Sequence, residues 1–245
     1  MAGNRLRPTG TFYGVGVGPG DKELLTLKAI KTIKAADVII APKTEKKEGS
    51  VALSIAEDYI GENARIVYQV FPMVKNFAQS SREWRQNKEE ILGFLEDGKN
   101  VVFLTLGDPM FYSTYIYMFK MLKGTANIVT VPGITAFTAI GSACDYPIVE
   151  GNEILAVIPA TADKDKIDRA LKAADRAVLM KVYHNFAEIA DLLQENDMAK
   201  NAVMSSRCGL DEEKLITDIA SRKNDKVNYL STILTGKEGS DEHEE

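Results

Sequence analysis

Short runs of apolar, β-prone residues alternate along this chain with segments that have the spacing of amphipathic helices. In the first half, the predicted strands and helices follow one another at 12–18, 24–35, 37–42, 50–60, 64–71, 81–97, 100–107, 112–122 and 127–133. Strands that are separated by helices of this length form βαβ units, in which neighbouring strands run parallel. The alternation therefore predicts an α/β fold built on a parallel sheet.

This alternation is interrupted at residues 144–151, which contain Pro147 and Gly151 and which we interpret as a linker. We expect an N-terminal α/β domain over 11–143 and a C-terminal α/β domain over 152–236. Further elements are predicted at 153–159, 163–173, 177–182, 185–195, 202–208, 214–220 and 227–235. The last of them alternates polar and apolar residues, which predicts an edge or antiparallel strand and hence a mixed C-terminal sheet. Because ligands favour domain junctions and the carboxyl ends of strands, we expect a ligand cleft between the two domains.

The distribution of charge argues against a nucleic-acid partner. The net charge of −5 comes from five acidic residues after position 237, and residues 1–237 carry 30 acidic and 30 basic side chains. A neutral body creates no general field that would attract a polyanion. We expect residues 237–245 to form a disordered acidic tail, since this segment has no large apolar side chain to bury.

Composition also bears on membranes, metals and compartment. The chain has no apolar run of about 18 residues, the length that a membrane-spanning helix needs, and no recognisable signal peptide. Its two cysteines, Cys144 and Cys208, and its two histidines, His184 and His243, form no cluster with the spacing of a metal site. We therefore expect no membrane partner, no bound metal ion and a reducing, cytoplasmic location.

The first motif with chemical content is the glycine-rich segment Tyr13-Gly-Val-Gly-Val-Gly-Pro-Gly-Asp21. A dinucleotide-binding fingerprint would need glycine at Pro19 or at Asp21, and a phosphate-binding loop would need a Lys-Ser/Thr pair that is absent. Alternate glycines at a strand end let a ligand approach the backbone closely, although a tight turn has the same composition. The motif is therefore not a Rossmann fingerprint.

Two more motifs follow predicted strands. They are Leu104-Thr-Leu-Gly-Asp-Pro-Met-Phe-Tyr-Ser-Thr114 and Val131-Pro-Gly-Ile-Thr-Ala136. In isolation each is compatible with ordinary turn and helix-cap chemistry, with Thr135 as an N-cap. A parallel sheet, however, places its ligand site at the carboxyl ends of its strands, which is where all three motifs fall.

In this order and spacing the three motifs resemble the tetrapyrrole methylase family over about residues 11–236. The segments VGVGPGDKELLTLKA, LTLGDPMFYST and VPGITAF are most similar to its precorrin-2 and cobalt-precorrin-2 C20-methyltransferase branch. Leu106 stands where uroporphyrinogen methylases usually carry the first glycine of Gly-Gly-Asp-Pro, and Phe71-Pro72-Met73 adds to the resemblance. The resemblance implies a homodimeric enzyme that uses S-adenosylmethionine to methylate a tetrapyrrole carbon.

The resemblance also implies which residues contact the methyl donor. The implied donor contacts are Pro19, Leu106, Gly107, Asp108, Phe111, Thr135, Ala136, Val182, Tyr183, Arg207 and Cys208. The last four rest on local sequence that departs from the family. Val182 or Tyr183 stands where relatives often have methionine and glycine, and Arg207 or Cys208 stands at a position that is glycine in others.

Methyl transfer from a sulfonium is a direct displacement, which depends more on alignment than on a strong base. A proton leaves the substrate carbon afterwards, and Asp108, Tyr112 and Tyr183 are candidates to assist that step. The tetrapyrrole carries carboxylates, so we expect substrate contacts from a basic stretch at 75–88 and from Ser113. In that stretch the expected contacts are Arg82, Trp84 and Arg85, although a solvated helix face explains the same charges.

Three alternatives share some of these features. Uroporphyrinogen-III methylation and diphthine synthesis would use the same donor on another substrate. A nucleoside-binding sensor would bind the donor without turnover.

Overall fold

The computed structural model describes residues 9–43, 49–72 and 81–237. Contacts between Cα atoms divide the chain into two compact units, Met1–Thr135 and Ala136–Glu245. The sequence-based boundary, a linker at 144–151, lies further along the chain. The acidic segment 238–245 lies outside the described residues.

The first unit contains a five-stranded sheet in which every strand pair is parallel. Its strands are β1 (Thr11–Gly16), β2 (Val38–Lys43), β3 (Arg65–Val70), β4 (Val101–Thr105) and β5 (Asn127–Val131). The strand order is β3-β2-β4-β1-β5, with β1 paired in parallel to both β4 and β5. The prediction of a parallel sheet is confirmed, and the order places the carboxyl ends of β4, β1 and β5 side by side.

Helices connect these strands, but some begin later than the sequence spacing predicts. The helices are α1 (Leu27–Lys34), α2 (Val51–Ala56), α3 (Ser81–Glu96) and α4 (Tyr115–Leu122). Helix α1 begins after Thr26, whose backbone is extended and whose hydroxyl accepts a hydrogen bond from the Ala29 N–H at 3.1 Å. Helix α4 cannot include Tyr112, because its φ of 47° lies outside the right-handed helical region.

Aromatic side chains form much of the core of the first unit. Phe12 stacks on Tyr115 with ring centroids 5.8 Å apart, and Phe103 packs against both rings. Phe71 joins this cluster to Trp84 at 4.9 Å. These residues fill the space between the sheet and helices α3 and α4, and full burial of each such ring contributes about 1.5–3 kcal/mol.

The second unit contains a mixed sheet, as predicted. Its elements are α5 (Ala136–Ala143), β6 (Leu155–Pro159), α6 (Lys164–Ala173), β7 (Arg176–Met180), α7 (Phe186–Glu195), β8 (Val203–Ser206), β9 (Lys214–Ile216) and β10 (Ser231–Gly236). The strand order is β6-β7-β10-β8-β9. Strands β6 and β7 are parallel, whereas β10 runs antiparallel to both β7 and β8.

The sequence predicts that the last strand lies at an edge of the sheet or runs antiparallel. The antiparallel direction is confirmed, and the edge position is wrong. Strand β10 lies in the middle of the sheet, and all six of its residues are buried. Two of its polar side chains have partners inside the protein, since Ser231 Oγ shares a 2.6 Å hydrogen bond with Ser206 Oγ and the Thr235 hydroxyl donates to the Met198 carbonyl. Hydrogen-bonded hydroxyls can be buried at little cost, so polar alternation here does not mark a solvent-facing edge.

Two boundaries in this unit differ from the prediction. Helix α5 belongs to the second unit. Residues 146–148 pack closely on this helix at Gly141, where a Cβ would lie 2.8–3.0 Å from the Ile148 side chain and the Tyr146 carbonyl oxygen. Lys237, predicted to begin the disordered tail, donates its backbone N–H to the Asp175 carbonyl at 3.0 Å. Within the described ranges, no helix is long and apolar enough to cross a membrane.

Candidate functional site

Three loops meet at the carboxyl ends of strands β4, β1 and β5. The loop after β1 and the loop after β4 pair directly, because Gly107 N–H donates to the Gly18 carbonyl at 2.8 Å and Gly18 N–H donates back at 3.3 Å. Val17 N–H also donates to the Thr105 carbonyl at 2.9 Å. The motifs that the sequence separates by about ninety residues are therefore joined by backbone hydrogen bonds.

Glycine at two positions lets these backbones approach so closely. A Cβ at Gly16 would lie 2.6 Å from the Gly107 carbonyl oxygen and 2.7 Å from the Gly133 nitrogen. A Cβ at Gly133 would collide with the same Gly107 carbonyl. Both glycines therefore serve the packing of the three loops against one another.

Gly107 is different, because it combines an unusual backbone with open space. Its φ is +70°, which L-residues rarely adopt, and a Cβ there would meet nothing nearer than the Ile134 carbonyl oxygen at 3.9 Å. The side of Gly107 where a side chain would stand is thus unfilled by protein atoms. A side chain at Gly107 would therefore be opposed by backbone strain rather than by a collision.

Asp108 ties the second loop to the third. Its Oδ1 accepts the Met110 N–H at 2.8 Å and its Oδ2 accepts the Gly133 N–H at 3.0 Å. Hydrogen bonds to a carboxylate are about twice as strong as those between neutral groups. In this geometry Asp108, a predicted donor contact and catalytic candidate, fixes the loops beside the open face of Gly107.

A buried pair of hydroxyls closes the loop that carries Asp108. The hydroxyls of Thr105 and Ser113 lie 2.7 Å apart, and Ser113 Oγ also accepts the Tyr115 N–H at 3.0 Å. Ser113 is only 8% exposed. The substrate contact predicted for Ser113 stays a prediction, and in this structure its hydroxyl is buried and hydrogen-bonded at the start of α4.

The other predicted residues of this loop present aromatic surface. The rings of Phe111 and Tyr112 meet edge to face at 4.9 Å, and Tyr112 is 42% exposed. Desolvation raises the pKa of Tyr112 above its ordinary value. Leu106 is half-buried and Pro19 is buried in the first loop, while Thr135 directly precedes the first residue of α5, Ala136.

The basic stretch expected to bind substrate is only partly described, since Lys75 and Met73 lie outside the described residues. Arg82 and Arg85 are exposed on helix α3. Trp84 points the other way: it is 1% exposed, its Nε1 donates to the Pro72 carbonyl at 3.3 Å, and its ring packs on Phe71. The substrate contact predicted for Trp84 stays a prediction, and in this structure the ring is part of the core.

The predicted contacts of the second unit follow strands β7 and β8. Val182 is fully buried and Tyr183 is half-buried, just beyond the end of β7. Arg207 has a φ of 60°, the left-handed conformation that glycine adopts readily, and its N–H donates to the Leu230 carbonyl at 2.9 Å. Of Arg207 and Cys208, only Arg207 has the left-handed backbone that glycine adopts readily.

Cys208 is a buried thiol. Burial first, and then the negative charge of Glu213, raise the pKa of Cys208 to about 12. The thiol is therefore protonated at neutral pH and is a poor nucleophile. Across the described ranges, no group of three or more His, Cys, Asp or Glu side chains is placed to hold a metal ion.

The family profile of the tetrapyrrole (corrin/porphyrin) methylases matches residues 11–221 of this chain, a range that includes all three loops. The chain belongs to the tetrapyrrole methylases.

Two relatives of this tetrapyrrole methylase are similar over most of their length. The cobalt-precorrin-2 C(20)-methyltransferase of Salmonella typhimurium is 35% identical over 94% of this chain and 97% of its own. The probable cobalt-precorrin-2 C(20)-methyltransferase of Methanocaldococcus jannaschii is 34% identical over 89% of each chain. A solved structure, the uroporphyrin-III C-methyl transferase of Thermus thermophilus complexed with S-adenyl homocysteine, shares the fold with a TM-score of 0.69 at 20% identity, covering 93% of this chain and 97% of that one.

Sequence reasoning missed the role of two residues of this methylase that the structure places where the three loops meet. Gly16 and Gly133 were part of the motifs, but their role in loop packing becomes visible only when the loops meet. In the second unit, Tyr229 falls in the predicted strand 227–235, but the structure places it in the loop before β10 with 55% exposure.

Proposed function

We propose that this tetrapyrrole methylase transfers a methyl group from S-adenosylmethionine to the C20 meso carbon of precorrin-2 or of its cobalt complex. The observation that carries the proposal is the 35% identity, over nearly the full length of both chains, to an enzyme of that name. The three converging loops support it, because they offer a ligand site of the kind that the reaction needs.

The donor site is proposed at the open face of Gly107. S-adenosylmethionine supplies a methyl group that is activated by attachment to a positively charged sulfur. Leu106, Gly107 and Asp108 would contact it from the second loop, and Thr135 and Ala136 from the third. Since backbone hydrogen bonds and the Asp108 carboxylate already fix these loops, little ordering is needed when the donor binds.

The role of the protein in the transfer itself is alignment. Holding the nucleophilic carbon in line with the methyl group is worth up to about 7–11 kcal/mol in favourable cases. The meso carbon of a reduced tetrapyrrole is enamine-like and is already nucleophilic, so no strong base is needed before the bond forms. Fixed loops suit this task.

The loss of the ring proton calls for a weak acceptor or a hydrogen-bonding group. Both carboxylate oxygens of Asp108 accept backbone N–H groups, an arrangement that suits loop positioning better than proton removal. The phenol of Tyr112, whose pKa desolvation raises above its ordinary value, is neutral at physiological pH and can donate or accept a hydrogen bond. We assign this supporting role to Tyr112, with Tyr183 as a second candidate.

Substrate recognition is proposed to involve the exposed guanidinium groups of Arg82 and Arg85 on helix α3. Arginine matches carboxylates in a two-pronged geometry, and the substrate carries several carboxylate side chains. Any cobalt would arrive inside the tetrapyrrole. We also expect a cytoplasmic location and, from the family resemblance, a homodimer. Light scattering on the purified protein would test the homodimer.

The experiment is transfer of an isotopically labelled methyl group. Purified protein would be incubated with labelled donor and, separately, with precorrin-2, cobalt-precorrin-2 and uroporphyrinogen III, and each product would be examined by mass spectrometry and NMR. The proposal expects one label at C20 of precorrin-2 or its cobalt complex. Labelling of uroporphyrinogen III alone would support the alternative methylase activity, and donor binding without any transfer would support a sensor.

A further inference from the structure

Helices α3 and α4 both begin at the carboxyl edge of the parallel sheet, the edge that carries the three loops. Each helix follows a strand that ends at this edge, since α3 comes after β3 and α4 comes after β4. The first turn of α4 continues directly from the loop that carries Asp108, and the Tyr117 N–H donates to the Thr114 carbonyl there at 3.2 Å. Side chains in the first turns of the two helices therefore lie at the same edge of the first unit as the three loops.

Tyr117 in this turn is an exposed ring that rests on a buried one. Its ring centroid lies 5.5 Å from that of Trp84, with an interplanar angle of 58°. Trp84 is itself fixed, because its ring is buried against Phe71 and its Nε1 donates to the Pro72 carbonyl. Tyr117 nevertheless remains 41% exposed. The core thus supports this ring and leaves part of it accessible from outside.

An exposed aromatic ring that is held by a fixed neighbour is well suited to bind an apolar ring system. It offers a large contact area, and few rotatable bonds have to be ordered when a ligand packs on it. Tyr112, in the loop before α4, adds a second ring with similar exposure. One loop-and-helix segment of the first unit therefore provides aromatic surface beside the candidate donor loops.

The charges near Tyr117 identify which reactant of the proposed function fits this surface. Arg82 and Arg85 are exposed in the first two turns of α3, on either side in sequence of Trp84, the residue that supports the Tyr117 ring. A tetrapyrrole combines an apolar ring system with several carboxylates at its rim, and arginine pairs with carboxylates in a two-pronged geometry. The adenine of the methyl donor carries no carboxylate. An aromatic ring next to arginines therefore matches the tetrapyrrole.

We infer that Tyr117 binds the tetrapyrrole substrate by packing its exposed ring against the macrocycle. This inference rests on the proposed function. It adds a residue that contributes to substrate affinity and that lies, with the helices that present it, wholly within the first unit.

The test compares three variants of Tyr117 with one control. Tyr117→Phe keeps the ring, Tyr117→Leu keeps apolar bulk without it, and Tyr117→Ala removes both. The control is Tyr68→Ala, because Tyr68 is similarly exposed at 48% but has its ring against Lys43. Its neighbour Gln69 hydrogen-bonds helix α3, so Tyr68 points to the opposite face of the sheet.

Three measurements are made on each purified variant. Titration with precorrin-2 is followed by tryptophan fluorescence, which reports tetrapyrrole binding without turnover because Trp84 is the only tryptophan of the chain. Calorimetry with S-adenosylhomocysteine measures affinity for the donor site. Circular dichroism checks that each variant is folded.

We expect Tyr117→Ala and Tyr117→Leu to raise the Kd for precorrin-2 about threefold to tenfold, the range that aromatic contacts supply. Their affinity for S-adenosylhomocysteine should equal that of the wild type. Tyr117→Phe and Tyr68→Ala should match the wild type in both titrations. The Leu variant decides the case if the Ala variant is unstable.

Three results would overturn the inference. The first is that Tyr117→Leu binds precorrin-2 as tightly as the wild type. The second is an equal loss of affinity for S-adenosylhomocysteine, because Tyr117 would then support the fold of the unit rather than contact the substrate. The third is a loss in Tyr117→Phe as large as that in Tyr117→Ala, which would assign the effect to the hydroxyl instead of the ring.

Failure of the proposed function is distinguishable, because it appears as a wild-type protein that transfers no methyl group to C20. The fluorescence titration needs no turnover and would still test the Tyr117 contact. If the wild type does not bind precorrin-2, the same variants are titrated with uroporphyrinogen III. A wild-type protein that binds neither tetrapyrrole would overturn the inference as well.

Discussion

At the residue scale, the glycines of the three loops differ in what they do. Gly16 and Gly133 are small because neighbouring backbone leaves no room for a Cβ, whereas Gly107 has room but a left-handed backbone. Packing alone does not explain why open space stands beside Gly107. Gly124 shares a left-handed backbone and open space, so the donor proposed beside Gly107 has to be tested against that position.

This distinction predicts the effect of a side chain at Gly107. Gly107→Val should reduce affinity for S-adenosylhomocysteine at least about tenfold, because the branched side chain enters the ligand's space. The matched control is Gly124→Val, since Gly124 has a φ of +87° with no atom within 4 Å of a built Cβ. Both variants should lose about 1–2 kcal/mol of stability from backbone strain, and only Gly107→Val should lose affinity. Equal donor affinity in the two variants, measured by calorimetry, would contradict a ligand at Gly107.

Cys208 makes stability depend on pH. The unfolded thiol ionises above about pH 8.5, whereas the folded thiol has a pKa of about 12. Between these values the folded state binds one more proton, so the free energy of unfolding falls as pH rises, by at most about 1.4 kcal/mol per pH unit. Denaturant titrations from pH 8 to pH 10.5 should show a shallower fall in Cys208→Ala than in wild type. Equal slopes of unfolding free energy against pH in the two proteins would show that folding does not raise the pKa of Cys208.

At the element scale, the segment from Thr105 to Ser113 behaves as a closed loop. Its ends are joined by a buried hydroxyl pair, and its middle is joined to the neighbouring loops by Gly107 and Asp108. The strand and helix that flank it cannot move apart without separating two buried hydroxyls. Such separation costs about 1–3 kcal/mol for each group left without a partner.

Substitutions at both ends of this loop should therefore be coupled. Thr105→Val and Ser113→Ala should each lower stability by about 1–2 kcal/mol and weaken binding of S-adenosylhomocysteine several-fold. The double variant should lose less stability than the sum of the two single losses, because the second substitution removes a hydroxyl whose partner in the Thr105–Ser113 pair is already absent. Ser54→Ala, on the exposed surface of α2, serves as the control. Additive losses with unchanged donor affinity would contradict a positioning role.

Helix α3 presents different chemistry on its two faces. Trp84→Ala should destabilise the protein by about 3–5 kcal/mol because it empties a core position. Arg82→Ala and Arg85→Ala should change stability by no more than about 0.5 kcal/mol and should raise KM for the tetrapyrrole. Thermal unfolding and kinetics measure the two effects. If Trp84→Phe folds normally but raises KM as the arginine variants do, the tryptophan contacts substrate after all.

The elements also show what could be predicted from sequence and what could not. The apolar runs were sufficient to locate the strands of the first sheet, because a parallel strand that is buried on both faces consists of consecutive apolar residues. Helix starts were missed at α1 and α4, where a cap at Thr26 and a left-handed Tyr112 delay the helix. The central position of β10 was missed because its hydroxyls find partners on strands distant in sequence.

At the scale of the whole molecule, the order of the motifs carried more information than any single one. Each motif is compatible with a simple turn, but the strand order β4-β1-β5 brings all three together. The chemistry of Trp84 and Ser113 led to the prediction of substrate contacts, whereas the structure buries both side chains. Burial depends on tertiary packing, which local sequence does not encode.

The central claim is that the loops after β1, β4 and β5 hold the methyl donor. The most direct measurement is a crystal structure of the protein with S-adenosylhomocysteine. We predict that the ligand lies against the open face of Gly107, within contact of Asp108 and Thr135. A complex in which S-adenosylhomocysteine binds elsewhere and leaves the Gly107 loop untouched would contradict the claim.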